Sequence, residues 1–577
     1  MRYIKITSLF IALFIVFNSC QKELLNKIPL DQVSSVVFFN QPSDMEIYMN
    51  QFYNDRIFPV QNGSILGNPY DGSQDDFNSD NAVNSYSVDS RLKGDRTIQD
   101  ASGGWNFADV RSINYFFDNY RKCPAPFADY QQYVGEAHFF RAWIYFKLLK
   151  KFGDVPWVST ELQTNSTELY GERTPRNIVA DNIILDLDSA AMYLTSNRNG
   201  GASRIYKGVA LLLQTRAALY EGTWEKYHAG DPFGVANPQP EKYFNKVVEA
   251  AATMMSSGLF QVYKTGNPSS DYYDLFKLRD YTSTTEALFW KKFSTALGIN
   301  NQRNYKLENP FGYSITKGLA DSYLCTDGKP ISGNVLFQGY NTITDEMTNR
   351  DPRFSQTIFA PANPWKVTDG AVQKWDDVYK NLNTASNYYA PTGYVQRKEY
   401  DPLMIYHSTN FEEDPVIHFR YAEVLLNFAE AKAELGTITQ TDLDNSIGLL
   451  RARVGMPNII LGSIASDPSW DFPTLSPIIN EVRRERRVEL SLEGFRWPDI
   501  ARWAAADELI VDKRPKGFKG SQISGSAFPN DANGFLDPFQ TALPTGYQFK
   551  INRDYLDAIP LNQIVLNPQL TQNPGWE

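Results

Sequence analysis

Apolar residues recur every three or four positions along several stretches, the spacing that builds one face of an α-helix. In 131–152 they are Ala137, Phe140, Ile144, Leu148 and Phe152, and Gly153 with Pro156 stops the run. Thr174-Pro175 reads as an N-cap and first helical residue, opening a helix over 175–194. The stretch 206–224 places Ala210, Leu213, Ala217 and Tyr220 on one face. Helical patterns follow at 240–258, 417–435, 443–454 and 477–493, each with a glycine at or just past its end. They read as antiparallel pairs: roughly 105–121 with 131–152, 175–194 with 206–224, 240–258 with 417–435, and 443–454 with 477–493. Such pairs predict a mainly α fold, a solenoid of tetratricopeptide-like units. Residues 259–416 interrupt it with Tyr, Asn, Pro and Gly and with short strand-like stretches such as 287–293. Residues 505–577 are similarly loop-rich. The expected architecture is one domain over 41–577, a helical-pair scaffold carrying a long irregular insertion at about 259–416.

The N-terminus has a different pattern. Arg2 and Lys5 precede an almost unbroken apolar run, 6–17. That is too short to span a bilayer, which takes about 20 residues, and has the layout of a secretory signal peptide. Asn18, Ser19 and Cys20 follow, with polar residues after them. A small residue and then Cys at this point resembles a bacterial lipoprotein box, with Cys20 as the lipidated first residue of the mature chain. Residues 1–19 are then the signal and 20–40 the anchor and tether. The alternative is an ordinary signal peptide with an incidental cysteine. Losing Arg2 and Lys5 leaves 54 basic against 66 acidic residues, a charge of −12. Two or more acyl chains anchor stably where one is marginal, so a globular domain tethered to a membrane through the lipid is expected.

The 577 residues are 42% hydrophobic and 21% charged, which allows a large core. The net charge of −10 argues against nucleic acid, which needs a basic face. Aromatics reach 14%, with 33 Tyr and 11 Trp. Such rings suit neutral ligands that stack, sugars above all, and equally suit a large aromatic core. Three cysteines without a CxxC, and four scattered histidines (His138, His228, His407, His418), give no metal-ligand spacing. No nucleophile elbow, Walker loop or dinucleotide fingerprint is present. No catalytic residue, metal or cofactor is therefore expected, and the chain does not read as an enzyme. Glu485, Glu489 and Glu493 share a helical face at i, i+4 and i+8, a spacing compatible with acid–base work. Four arginines surround them, and Arg486 with Glu489 has helix ion-pair spacing, so the structural reading is preferred. Asp71, Asp75, Asp76 and Asp80, with Asn78 and Asn81, make an acidic loop that suits Ca2+ or a run of Asx-turns.

Several segments resemble the SusD/RagB family of outer-membrane nutrient-binding lipoproteins. They begin with Gly135-Glu136-Ala137-His138-Phe139-Phe140-Arg141-Ala142-Trp143, running on to Phe152-Gly153-Asp154-Val155-Pro156. Arg350-Asp351-Pro352-Arg353, Arg420-Tyr421-Ala422-Glu423 and Ala429-Glu430-Ala431 follow. Then come Glu485-Arg486-Arg487-Val488-Glu489-Leu490, Glu493-Gly494-Phe495-Arg496 and Asp499-Ile500-Ala501-Arg502-Trp503. Ile559-Pro560-Leu561-Asn562 and Gln572-Asn573-Pro574-Gly575 close the chain. The resemblance implies a tetratricopeptide-type scaffold with an inserted ligand-binding half, anchored through Cys20 and facing outward. It implies a SusC-like TonB-dependent transporter as partner and capture of an oligosaccharide without chemistry; some branches take peptides or other nutrients instead. Glycan-binding members use an aromatic arc on loops. Trp143, Trp224, Trp497 and Trp503 read as core, whereas Trp105, Trp365 and Trp375 are loop candidates for stacking platforms. Tyr305 and Tyr313 stand behind them, with Asn304 and Asn381 nearby. A loop tryptophan can equally pack its own loop against the scaffold.

Cys20→Ser is expected to block processing or release the protein from membranes. Fractionation of cells expressing the variant checks this, and unchanged processing and fractionation would contradict the lipid anchor.

Overall fold

The computed structural model describes residues 38–54, 57–58, 76–77, 79–84, 88–99, 103–198, 204–310, 312–375, 390–408, 411–522 and 528–577. Cys20, the signal and most of the tether lie outside these residues, as do Asp71, Asp75, Asn78 and Asn381. The longer helices are α1 (Pro42–Asn50), α2 (Ala108–Asn119), α3 (Gln131–Phe152), α4 (Arg176–Tyr193) and α5 (Lys207–Tyr227). They continue with α6 (Pro240–Ser256), α7 (Tyr421–Glu434), α8 (Ile447–Arg453), α9 (Pro477–Glu489) and α10 (Arg496–Arg502). Helices α2 to α7 pack each on the next, and α9 closes the row against α7. Three expected pairs are present: α2 with α3, α4 with α5, and α6 with α7. The fourth differs, because α9 packs mainly on α7 and only lightly on α8.

Helix α5 is buried on nearly every side from Gly208 to Glu225, which makes it the centre of the scaffold. Its crossing with α6 is close. A Cβ on Gly222 would sit 2.9 Å from the Phe244 ring and 3.1 Å from Tyr243, so only glycine fits. The charges that enter this core arrive paired: Arg176 donates to Glu221 at 2.7 Å, with both side chains buried.

The strands are short and antiparallel. Strand β1 (Ala82–Asn84) pairs with β3 (Tyr313–Ile315), β2 (Ala287–Lys291) with β6 (Val416–Arg420), and β4 (Pro364–Thr368) with β5 (Ala371–Lys374). The β2–β6 ladder matches Phe289 to Phe419 and Lys291 to Val416, where the chain leaves the scaffold and returns to it. This corrects the expected helix over 417–435. Ile417 and Phe419 pair with Trp290 and Phe289, and the helix starts only at Tyr421. The expected helix 443–454 is likewise split. Thr439 and Asp442 form a capping box that opens a separate turn, Gln440–Asp444, before α8. Helix α9 ends at Glu489 and not at Glu493, since Leu492 (φ 65°) and Gly494 (φ 80°) turn the chain through left-handed backbone.

The acidic face of α9 joins the scaffold to the insertion. Glu489 accepts from Arg453 at 2.7 Å, Arg420 at 2.8 Å and Arg353 at 3.1 Å. Glu485 accepts from Arg353 at 2.5 Å and Arg451 at 2.8 Å, and Glu493 from Arg420 at 2.6 Å and from Lys398. All three carboxyls are held below the usual range. Burial opposes this, but the facing guanidiniums overcome it. The expected Arg486–Glu489 pair is not formed. Arg486 instead reaches away from its own helix to Asp499 and to the Asn427 side chain, each at 2.7 Å.

Glu489→Gln strands three guanidiniums beside a neutral amide. Breaking a buried network of this kind costs about 3–5 kcal/mol. The thermal midpoint is expected to fall well below that of a surface control, Glu241→Gln. Equal midpoints in scanning fluorimetry would show that the network carries no stability.

Candidate functional site

The five expected ligand residues do not converge. Trp365 lies on β4 and Trp375 just after β5, so the hairpin folds them together, and each is only 1% exposed. Their centroids are 4.8 Å apart. Phe359 stacks on Trp375 at 4.5 Å, and Tyr400 stacks on Trp365 at 5.5 Å and donates its hydroxyl to the Trp365 carbonyl at 2.6 Å. Leu307, Ala390 and Val395 complete the cluster. The expectation that these two rings are platforms is therefore corrected: their faces are covered by their own loops. Tyr305 is half-buried on the short helix Arg303–Glu308. Glu412 caps that helix, accepting from the Asn304 and Tyr305 amides at 2.6 and 2.9 Å. Asn304 is buried and holds Asp414 and the Asp401 amide, so its side chain ties loops together. Tyr313, half-buried on β3, meets the Phe77 ring edge-on at 4.6 Å. Trp105 is half-buried against the scaffold, edge-on to Phe107 at 5.3 Å and Phe152 at 5.0 Å.

A wide open groove of about 1030 Å3 lies elsewhere, between α9, the 467–472 loop, the 316–340 segment and residues 508–516. Phe337, Tyr340 and Trp470 line it. Tyr340 donates to Asp321 at 2.9 Å and accepts from Lys317 at 3.0 Å, while Phe337 supports its ring edge-on at 5.0 Å. Trp470 is half-exposed and donates Nε1–H to Glu481 at 3.2 Å. The groove's cations are largely compensated. Arg484 pairs with Asp467 at 2.6 Å, and Arg487 and Arg496 share Asp80 at 2.8 and 2.6 Å. Aromatic rings set among fixed polar groups suit a neutral, hydroxyl-rich ligand. Sequence reasoning missed these rings. Trp470 meets the criterion used for Trp365, a tryptophan in a Pro/Asp/Ser-rich loop, and here the ring is only half-buried and lines the groove.

Two members of the acidic loop serve the structure. Asp76 is buried, accepting from Asn81 at 2.9 Å and the Gly494 amide at 2.7 Å, and burial raises its carboxyl to about 7. Asp80 is half-buried, and Arg487 and Arg496 hold it down to about 2 against partial desolvation. Among the described residues no group of His, Cys, Asp or Glu is placed to hold a metal, and no helix is long and apolar enough to cross a membrane.

Residues 261–576 match the family model described as the SusD family, and residues 43–210 match one described as starch-binding associating with outer membrane. The first match covers more than half of the sequence, and the chain belongs to the SusD family. SusD-like protein P2 of Formosa agariphila is 24% identical over 454 residues, spanning 77% of this chain and 74% of that one. A solved SusD-like carbohydrate binding protein from Bacteroides fragilis superposes with a TM-score of 0.70 at 21% identity, over 92% of this chain and 100% of that one. A laminarin binding SusD-like protein gives 0.58 at 18% identity, over 93% of this chain and 100% of that one. At these identities the likeness to solved structures speaks for the fold.

The buried acids set a pH profile. A depressed acid stabilises above its unfolded pKa of about 4 and loses that contribution as pH falls to its folded value. Asp80 and Glu430, held to about 2 by facing arginines against the effect of burial, act this way. A raised acid stabilises below about 4 and loses its contribution as pH rises through its folded value. Asp76, Glu399 and Glu412, all raised to about 7 chiefly by burial, act this way. His418, lowered to about 3 by burial, loses stability as pH falls below its unfolded value of about 6.5. From these groups the thermal midpoint is expected to be highest between about pH 4 and 5 and to fall on both sides. A midpoint still rising from pH 6 to 8 would contradict these assignments.

Proposed function

We propose that this protein captures oligosaccharide at the outer face of the outer membrane, held there by lipid on Cys20. It then delivers the glycan to a SusC-like TonB-dependent transporter, and it acts by binding, without catalysis. The observation that carries the reading is an open groove with aromatic rings on a chain of the SusD family. The starch-binding description of the matching model over 43–210 supports it, as does the laminarin-binding name of one structural neighbour. Trp470 and Tyr340 are the proposed platforms. Trp105, Tyr305 and Tyr313, each half-buried and outside the groove's lining, are proposed as contacts only for a longer chain that reaches beyond it.

Sugar hydroxyls exchange water for protein at a net gain of about 0.5–1.5 kcal/mol each, and apolar burial on a ring adds roughly 25 cal/mol per Å2. Association costs about 4 kcal/mol or more, so affinities on the order of micromolar to millimolar follow.

Calorimetry against starch and laminarin oligosaccharides tests the reading. Trp470→Ala is expected to weaken binding about tenfold, or 1.4 kcal/mol, with the helical circular dichroism unchanged. Intact affinity in that variant would move the site away from the groove. Cleaved product in mass spectrometry of the incubated mixture would refute binding without catalysis.

A further inference from the structure

A second cleft, of about 440 Å3, opens between α3, α5, the β6–α7 junction and the turn that follows α9. Its volume falls in the range of about 300–1,000 Å3 usual for small-ligand sites. The charges along it are matched. Arg216 binds both oxygens of Glu423 at 2.6 Å, Arg420 lies between Glu489 and Glu493, and Arg486 donates to Asp499 at 2.7 Å. Arg91 and Lys151 share Asp557, and Lys150 lies 5.2 Å from the Phe146 ring centre. A lining of this kind gives a charged ligand little to pair with, and it fits a neutral one.

Three features distinguish this cleft from a packing defect. First, two lining residues carry buried polar atoms with no hydrogen-bond partner among the described residues, Nε2 of His418 and Oε2 of Glu399. Leaving such an atom unpaired is costly, and folded proteins keep few of them. His418 packs against the Phe58 and Phe289 rings at 5.4 and 5.9 Å, and burial keeps it neutral, down to about 3, so Nε2 can donate or accept. The cations near Glu399 are committed elsewhere, Arg303 to Asp414 and Lys398 to Glu493. Burial raises the Glu399 carboxyl to about 7, so Oε2 also serves in either sense. Second, Glu399 holds left-handed backbone, φ 72°, a strained conformation for a residue with a side chain and one that gathers at ligand sites. Third, Trp143 on α3 and Phe495 beyond α9 line the cleft and are only half-buried, which leaves ring surface for the C–H face of a sugar.

We propose that this cleft is a second sugar site that takes a single neutral hexose, its hydroxyls paired with His418 Nε2 and Glu399 Oε2 and its C–H face along Trp143 and Phe495. None of these four residues lines the open groove, so the site goes beyond the capture proposed there. Its contacts come from both halves of the protein. Glu399 belongs to the insertion, His418 to β6 where the insertion ends, and Trp143 to the scaffold. A bound hexose therefore ties the insertion to the scaffold, and mass action makes the folded chain harder to unfold.

The full mature chain is titrated in a calorimeter with glucose, galactose and mannose, and each sugar is also added in scanning fluorimetry. At least one hexose is expected to bind and to raise the thermal midpoint. His418→Phe keeps the packing on Phe58 and Phe289 and removes Nε2. It is expected to weaken that hexose about tenfold, the worth of one such hydrogen bond. Its sugar-free midpoint is expected to hold or rise, since an unpaired buried atom is gone. A purely structural role would lower the midpoint and leave sugar affinity alone. Glu399→Met removes Oε2 and gives a second reading should His418→Phe fail to fold. Trp470→Ala, in the groove, is expected to leave the hexose effect intact. No hexose binding, a hexose affinity indifferent to both cleft variants, or one lost with Trp470→Ala instead would each overturn the proposal. Oligosaccharide binding that Trp470→Ala weakens leaves the capture reading standing in all of those cases.

Discussion

One carboxylate, that of Glu489, is shared by guanidiniums from three distant parts of the chain. Arg353 comes from the insertion, Arg420 from the strand where the insertion ends, and Arg453 from α8. Moving such charges out of water is costly, and only dense, well-oriented pairing offsets it. Apolar contacts tolerate sliding, whereas a carboxylate with several directed donors fixes position and angle together. The irregular half of the protein is thus held to the helical half in a defined pose, although it has little regular structure of its own.

Helix α9 extends the same logic along its length. Glu485 and Glu489 face the insertion, Arg486 faces α7 and α10, and Arg487 reaches Asp80 beside β1. A segment that reads as surface by composition is buried from Asn480 to Glu489 except at Arg484. Asn480, Arg483, Arg484 and Arg487 on it form one wall of the open groove. The groove inherits its geometry from this ion-paired rod.

The regular parts of the fold were legible because local signals decide them. Helix α3 spans 131–152 as its periodicity and Gly153 indicate. Legibility failed where a distant partner decides. Residues 417–420 carry a helix-like apolar pattern but become strand because β2 offers a ladder edge. Arg486 and Glu489 have the right spacing, yet stronger partners lie on other elements. The loop tryptophans show the same limit. Trp365 and Trp375 lie in polar, turn-rich sequence but are covered because the β4–β5 hairpin folds them onto Phe359 and Tyr400, while Trp470 in similar sequence is only half-buried. Family and scaffold were readable from motifs, whereas the accessible rings depend on how each loop closes.

The β2–β6 ladder gives the insertion a further property. Lys291 and Val416 stand opposite each other, so the segment 292–415 begins and ends at one point on the scaffold. Such a segment can be exchanged for another of different length without moving a scaffold helix, and the recognition surface can diversify while the frame stays constant. The exchange has conditions, one of them a cation where Lys398 meets Glu493. An incoming segment must supply an arginine where Arg353 stands, because α9 presents its carboxylates to that position whatever loop is fitted around it.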